Sequence, residues 1–145
     1  MKKTWVVVAE SSRARIFQAE SRLKPMKEIE GLAHPESRAR VLDINADNAG
    51  RAFDSAGQGR HAMENEVDPK KHEAEMFAKQ IADHLDKARA KGEFEALIVI
   101  APPEFLGLLR KHVNPVTTKT MAKAVSKNLV RDPEEVIRKA ALELE

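Results

Sequence analysis

The sequence predicts an α/β domain built on one mixed five-stranded sheet, and three observations carry the prediction. An opening run of bulky apolar residues, Trp5-Val6-Val7-Val8, is followed by two segments that alternate in polarity. A second apolar run, Phe94-Glu95-Ala96-Leu97-Ile98-Val99-Ile100-Ala101, lies between two segments of helical period. Two helix starts are written as Asp-Pro, Asp68-Pro69 and Asp132-Pro133.

Residues 4–10 form the first strand, because a continuous apolar run without helical period suits a strand covered on both faces. Ser11-Ser12 makes a turn. Residues 13–20 alternate, with Ala14, Ile16 and Gln18 on one face and Arg15, Phe17 and Ala19 on the other, as an antiparallel partner does. Past Pro25, residues 26–34 give a third strand in which Met26, Glu28 and Glu30 oppose Lys27, Ile29 and Gly31. Asp68 caps and Pro69 opens the longest helix, whose stripe of Ala74, Phe77, Ala78, Ile81, Leu85 and Ala88 runs until Lys91-Gly92 ends it. Residues 94–101 are the fourth strand. Pro102-Pro103-Glu104 starts a helix that turns Phe105, Leu108, Leu109 and Val113 inward and stops at Asn114-Pro115. Residues 116–130 read as one helical turn and then a strand over 122–129. Asp132-Pro133-Glu134-Glu135 is a capped start for the last helix, with Val136, Ile137, Ala140, Ala141 and Leu144 as its stripe.

Three meander strands followed by helix, strand, helix, strand and helix set a parallel strand beside the first one and place helices on both faces. That order is ribonuclease H-like, a three-layer α/β fold. The 145 residues form one domain, 1–145, with a long polar loop over 35–68. Hydrophobic residues at 42% and charged residues at 33% describe a globular chain and not a disordered one. The absence of cysteine excludes disulfides, thiolate catalysis and cysteine-ligated metal centres. The N-terminal apolar run is too short for a signal peptide, and no run of about 18 apolar residues occurs, so no membrane span is expected. The expected location is cytoplasmic.

Net charge is +2, but its distribution is uneven. Between residues 105 and 131, Arg110, Lys111, Lys119, Lys123, Lys127 and Arg131 occur with no acid among them, which gives either a solvated face or a phosphate-binding one. Residues 35–68 carry seven acids against four arginines, a net of −3. Three of the six glycines fall in the stretch from Ala49 to Glu64. There Ala56-Gly57-Gln58-Gly59 has the backbone freedom to form an exposed tip, with Arg51, Arg60 and His61 nearby.

Familiar chemistries find little purchase. A two-metal nuclease needs converging carboxylates, yet the first strand offers Glu10 alone at its end and the fourth ends in Ile100-Ala101-Pro102. His61, His72 and Glu75 are candidate metal ligands, but no HExxH-like motif accompanies them and a charged helix start is the plainer reading, so no metal is expected. His34, His84 and His112 stand singly and read as surface or structural residues. Ser55 near Asp54 and His61 lacks the G-x-S-x-G setting of a nucleophile. No phosphate-cradling glycine motif occurs, and no cofactor is expected.

The segments His34-Pro35-Glu36-Ser37-Arg38, Gly50-Arg51-Ala52-Phe53-Asp54-Ser55-Ala56-Gly57, Arg60-His61-Ala62-Met63-Glu64, Asp68-Pro69 and Ala101-Pro102-Pro103-Glu104-Phe105-Leu106-Gly107-Leu108-Leu109-Arg110 together resemble the bacterial host-attachment protein family, over nearly the whole chain. That family is in turn similar to the central domain of archaeal and eukaryotic class-1 peptide release factors. The resemblance implies a ribosome- or tRNA-associated module with a Gly-Gln tip. Gln58 and Gly57 would act on stalled peptidyl-tRNA, where the Gln backbone N–H stabilises the transition state. Gly59, Arg51, Arg60 and His61 would contact RNA, together with Arg110, Lys111, Lys119, Lys123, Lys127 and Arg131. Ala56 stands where the release-factor Gly-Gly-Gln tip has its first glycine and restricts the backbone there. The competing expectation is a non-enzymatic attachment factor whose loop docks a protein partner or a second copy of the chain.

Overall fold

β1 (Thr4–Ala9) is the strand against which the sheet is laid, and all six of its residues are buried. Trp5, Val7 and Ala9 enter one core while Val6 and Val8 enter another, so this strand demands a layer on each side. The computed structural model describes residues 1–34 and 69–143; the expected polar loop 35–68 and the last two residues lie outside them. β2 (Arg13–Ala19) pairs antiparallel with β1, and β3 (Lys27–Ala33) pairs antiparallel with β2. α1 (Pro69–Ala90) then leads to β4 (Ala96–Ala101), parallel to β1 with Thr4 opposite Ala96 and Val8 opposite Ile100. α2 (Pro103–His112) and the single turn α3 (Pro115–Thr118) lead to β5 (Met121–Ser126), parallel to β4, and α4 (Glu134–Leu142) closes the chain. The sheet order is β3-β2-β1-β4-β5.

Phe77, Ile81 and Leu85 of α1 and Phe105 and Leu109 of α2 pack on Trp5, Val7, Leu97 and Val99. On the opposite face Ile137, Ala141 and Leu142 of α4 pack on Val6, Val8, Ile98 and Ile100. The mixed five-stranded sheet and its three layers are those expected of the ribonuclease H-like order. α1 ends as its sequence predicts. Gly92 takes φ +75°, its N–H reaches Arg89 C=O at 2.9 Å, and Glu93 N–H reaches Ala88 C=O at 3.0 Å, a left-handed helix stop that favours glycine.

Three local expectations are corrected. In β3, Ile16 faces Glu30 and the next residue, Phe17, faces Glu28, which leaves Ile29 as a bulge. The bulge divides the expected face of Met26, Glu28 and Glu30. Glu28 meets Arg15 beside Phe17, whereas Glu30 meets His84 of α1 at 2.9 Å. β5 stops at Ser126, short of the expected 129, because Val130 leaves the sheet to enter the α4 core, where it is fully buried. In α4 the helix starts one residue later than expected, at Glu134, and no side chain caps it. Its inward stripe is Ile137, Ala141 and Leu142, while Val136 is 41% exposed and Leu144 lies outside the described residues.

A clasp centred on Arg15 explains the shifted start of α4. The guanidinium makes a forked pair with Glu28, 2.9 and 3.2 Å, and donates to the carbonyls of Val130 and Asp132 at 2.9 and 2.8 Å. It also lies 5.0 Å from the centre of the Phe17 ring. Asp132 thus contributes its backbone to β2, and the Glu134 carboxylate accepts the Met26 N–H at 2.7 Å. Arg15→Met keeps the contact with Phe17 but strands two carbonyls, and the expected loss is about 2 kcal/mol. A urea midpoint unchanged from the wild type would show that the clasp holds nothing.

Candidate functional site

β1, β4 and β5 run parallel, so their carboxyl ends open at one end of the sheet, where α1 and α2 also begin. β1 hands the chain to β2 on one side and β4 hands it to β5 on the other. This is the switch point at which open α/β sheets take ligands. A cleft of about 450 Å³ lies there. Glu10 and Ser11 line it from the end of β1, Pro102 from the end of β4 and Asn128 from beyond β5. Lys71, Ala74 and Glu75 come from α1, and Glu104, Phe105 and Leu108 from α2. Phe105 is buried and Leu108 half-buried, which makes an apolar floor beneath a charged rim.

The carboxylates are fixed by different means. Glu10 ends β1 in a tight turn, its N–H donating to Arg13 C=O at 2.9 Å and its carboxylate accepting the Ser12 hydroxyl. Glu104 sits in the first turn of α2, where the helix N-terminus favours negative charge. Glu75 accepts a hydrogen bond from Lys111 Nζ at 3.1 Å and lies 3.9 Å from His112 Nε2. The Lys111 hydrogen bond, then its charge, holds the Glu75 carboxyl below its ordinary value; His112 and His72 add to the effect and desolvation opposes it. Among the described residues, no three or more His, Cys, Asp or Glu are placed to hold a metal.

The expected site residues divide into two groups. Arg51, Gly57, Gln58, Gly59, Arg60 and His61 lie outside the described residues. The six cations between 105 and 131 are described, and the fold disperses them. Arg110 and Lys111 project from α2 on one side of the sheet, whereas Lys123 reaches Glu143 C=O at 3.4 Å beside α4 on the other. Lys119 precedes β5 and Lys127 follows it, a strand length of roughly 20 Å apart. Arg131 follows Val130 on the α4 side. Of the single histidines, His34 is buried with its ring 5.7 Å from Phe77, and His84 stacks 6.1 Å from Trp5 while meeting Glu30.

Nothing in the sequence marks the cleft as such: Glu10 stands alone at a strand end and Glu104 sits in an ordinary helix start. The available signal was positional. Glu10 directly follows β1 and Glu104 lies in the first turn of the helix that follows β4, and carboxyl ends of neighbouring parallel strands share one crevice.

The family model described as "Protein required for attachment to host cells" matches residues 5–140. It speaks to host attachment and carries no release-factor relationship with it. No match is found among curated proteins. No helix among the described residues is long and apolar enough to cross a membrane.

The Glu75–Lys111 pair ties α1 to α2 across the cleft wall, and its pH dependence has a definite sign. A carboxyl held below its unfolded value adds stability that is complete above that value and is lost as pH falls through the folded one. In Lys111→Ala the Glu75 midpoint, followed by NMR titration, moves up toward the ordinary carboxyl value; an unmoved midpoint would remove the pair as the cause.

Proposed function

We propose that this chain, which belongs to the family of proteins required for attachment to host cells, serves attachment by binding a protein partner in the cleft at the carboxyl ends of β1, β4 and β5. The observation that supports this reading is the cleft itself, about 450 Å³, with an apolar floor at Phe105 and Leu108 and a charged rim. Its rim groups are anchored within the fold, Glu10 by Ser12 and Glu75 by Lys111, as suits a docking surface of fixed shape. The reading needs no chemical turnover.

Leu108 is the natural test position because it lines the cleft while only half-buried. In a bacterium that attaches through this protein, deletion abolishes attachment, the wild-type chain restores it, and a folded Leu108→Glu chain leaves it at the deletion level. Full restoration by Leu108→Glu would refute a role for the cleft.

A second reading is association with the ribosome or tRNA. It is favoured by Lys127, which is exposed and directly follows β5 at the cleft end of the sheet, and by the exposed Arg131 on the α4 side; neither carries an ion pair with any described residue. Phosphate binding by such groups weakens steeply with salt, by roughly 0.7–0.9 in log K per log unit of salt for each contact. The purified chain then cosediments with ribosomes at low salt and is released as salt rises. A chain that neither cosediments nor binds tRNA ends this reading.

A further inference from the structure

We infer that the cleft recognises an extended partner segment carrying a lysine or arginine next to an apolar residue. The inference rests on the cleft reading above and names what fills it. Three carboxylates, Glu10, Glu75 and Glu104, line the cleft against one ammonium, Lys71, among the described residues. Glu75 is matched by Lys111 at 3.1 Å. Glu10 and Glu104 carry no ion pair with any described residue, so they are the unspent charges of the rim.

The floor and the rim ask for different parts of one side chain. Ala74, Leu108 and Pro102, above the buried Phe105, present apolar surface on which the methylene stem of a lysine or arginine, or a neighbouring leucine, loses water at a gain. The charged head then meets a carboxylate at the rim, where a charge-assisted hydrogen bond replaces the hydration both ions give up. A purely apolar segment leaves Glu10 and Glu104 unmatched and takes part of their hydration without replacing it. An acidic segment would bring like charges together at the rim. A nucleic-acid backbone meets the same repulsion at these two carboxylates, so any RNA contact at Lys127 lies outside them.

The probe is a fluorescein-labelled peptide, Gly-Leu-Lys-Leu-Arg-Gly, compared with its acidic counterpart, Gly-Leu-Glu-Leu-Glu-Gly, by fluorescence anisotropy on the full chain. The basic peptide binds and the acidic one does not. Glu10→Gln with Glu104→Gln weakens the basic peptide about tenfold, a loss expected for two charge-assisted contacts at a wet rim. Glu135→Gln, an exposed carboxylate on α4 paired with Lys139, leaves it unchanged. Equal binding of both peptides, or a double variant that binds as the wild type does, overturns the inference. So does a chain that binds neither peptide while Leu108→Glu still abolishes attachment, an outcome that leaves the cleft reading standing and removes the cationic partner.

Discussion

Burial of β1 on both faces is the demand that the remaining elements meet. A strand whose successive side chains are Trp5, Val6, Val7, Val8 and Ala9 cannot leave either face in water without exposing several hundred square ångströms of apolar surface. α1 and α2 cover one side and α4 the other. β4 extends the arrangement, with Leu97, Val99 and Ala101 facing α1 and α2 and with Ile98 and Ile100 facing α4. The helices are amphipathic because they answer this sheet, and their inward residues are those that reach β1 and β4.

The same demand makes the cleft. A parallel neighbour is reached only through a crossover, so β4 and β5 must both return to the end where β1 begins and finish together at the other. The chain turns away from β1 and β4 in opposite directions at that end, and the space between the departing segments stays open. Glu10 reaches the rim because it follows immediately on β1, Glu104 because it opens the helix after β4, and Phe105 and Leu108 supply the floor because α2 must pack its first turns against the sheet. Charge and apolar surface meet there as a consequence of topology.

Much of this architecture was legible in the sequence, and what was hidden has identifiable causes. The continuous run at β1, the six-residue stripe of α1 and the glycine that ends it are local signals that the packed structure keeps. The bulge at Ile29 was hidden because simple alternation has no mark for an extra residue. The cap expected at Asp132 gave way to a long-range contact, since Arg15 takes the carbonyl of that residue and nothing within 132–135 announces it. The grouping of Glu10, Glu75 and Glu104 in one cleft required knowing which strand ends adjoin. The cations between 105 and 131 looked like one face because they are close in sequence, but a strand and two helices intervene and send them to different sides.

The Arg15 clasp also sets an order of events at synthesis. Its carbonyl partners lie 115 and 117 residues downstream in the chain. At the usual pace of elongation, β2 therefore waits on the order of ten seconds for them. Throughout that interval the face bearing Val6, Val8 and Phe17 has no α4 to cover it. The nascent chain thus exposes an apolar sheet surface until α4 emerges. A chain truncated before α4 leaves that face uncovered and is a target for chaperones or proteolysis.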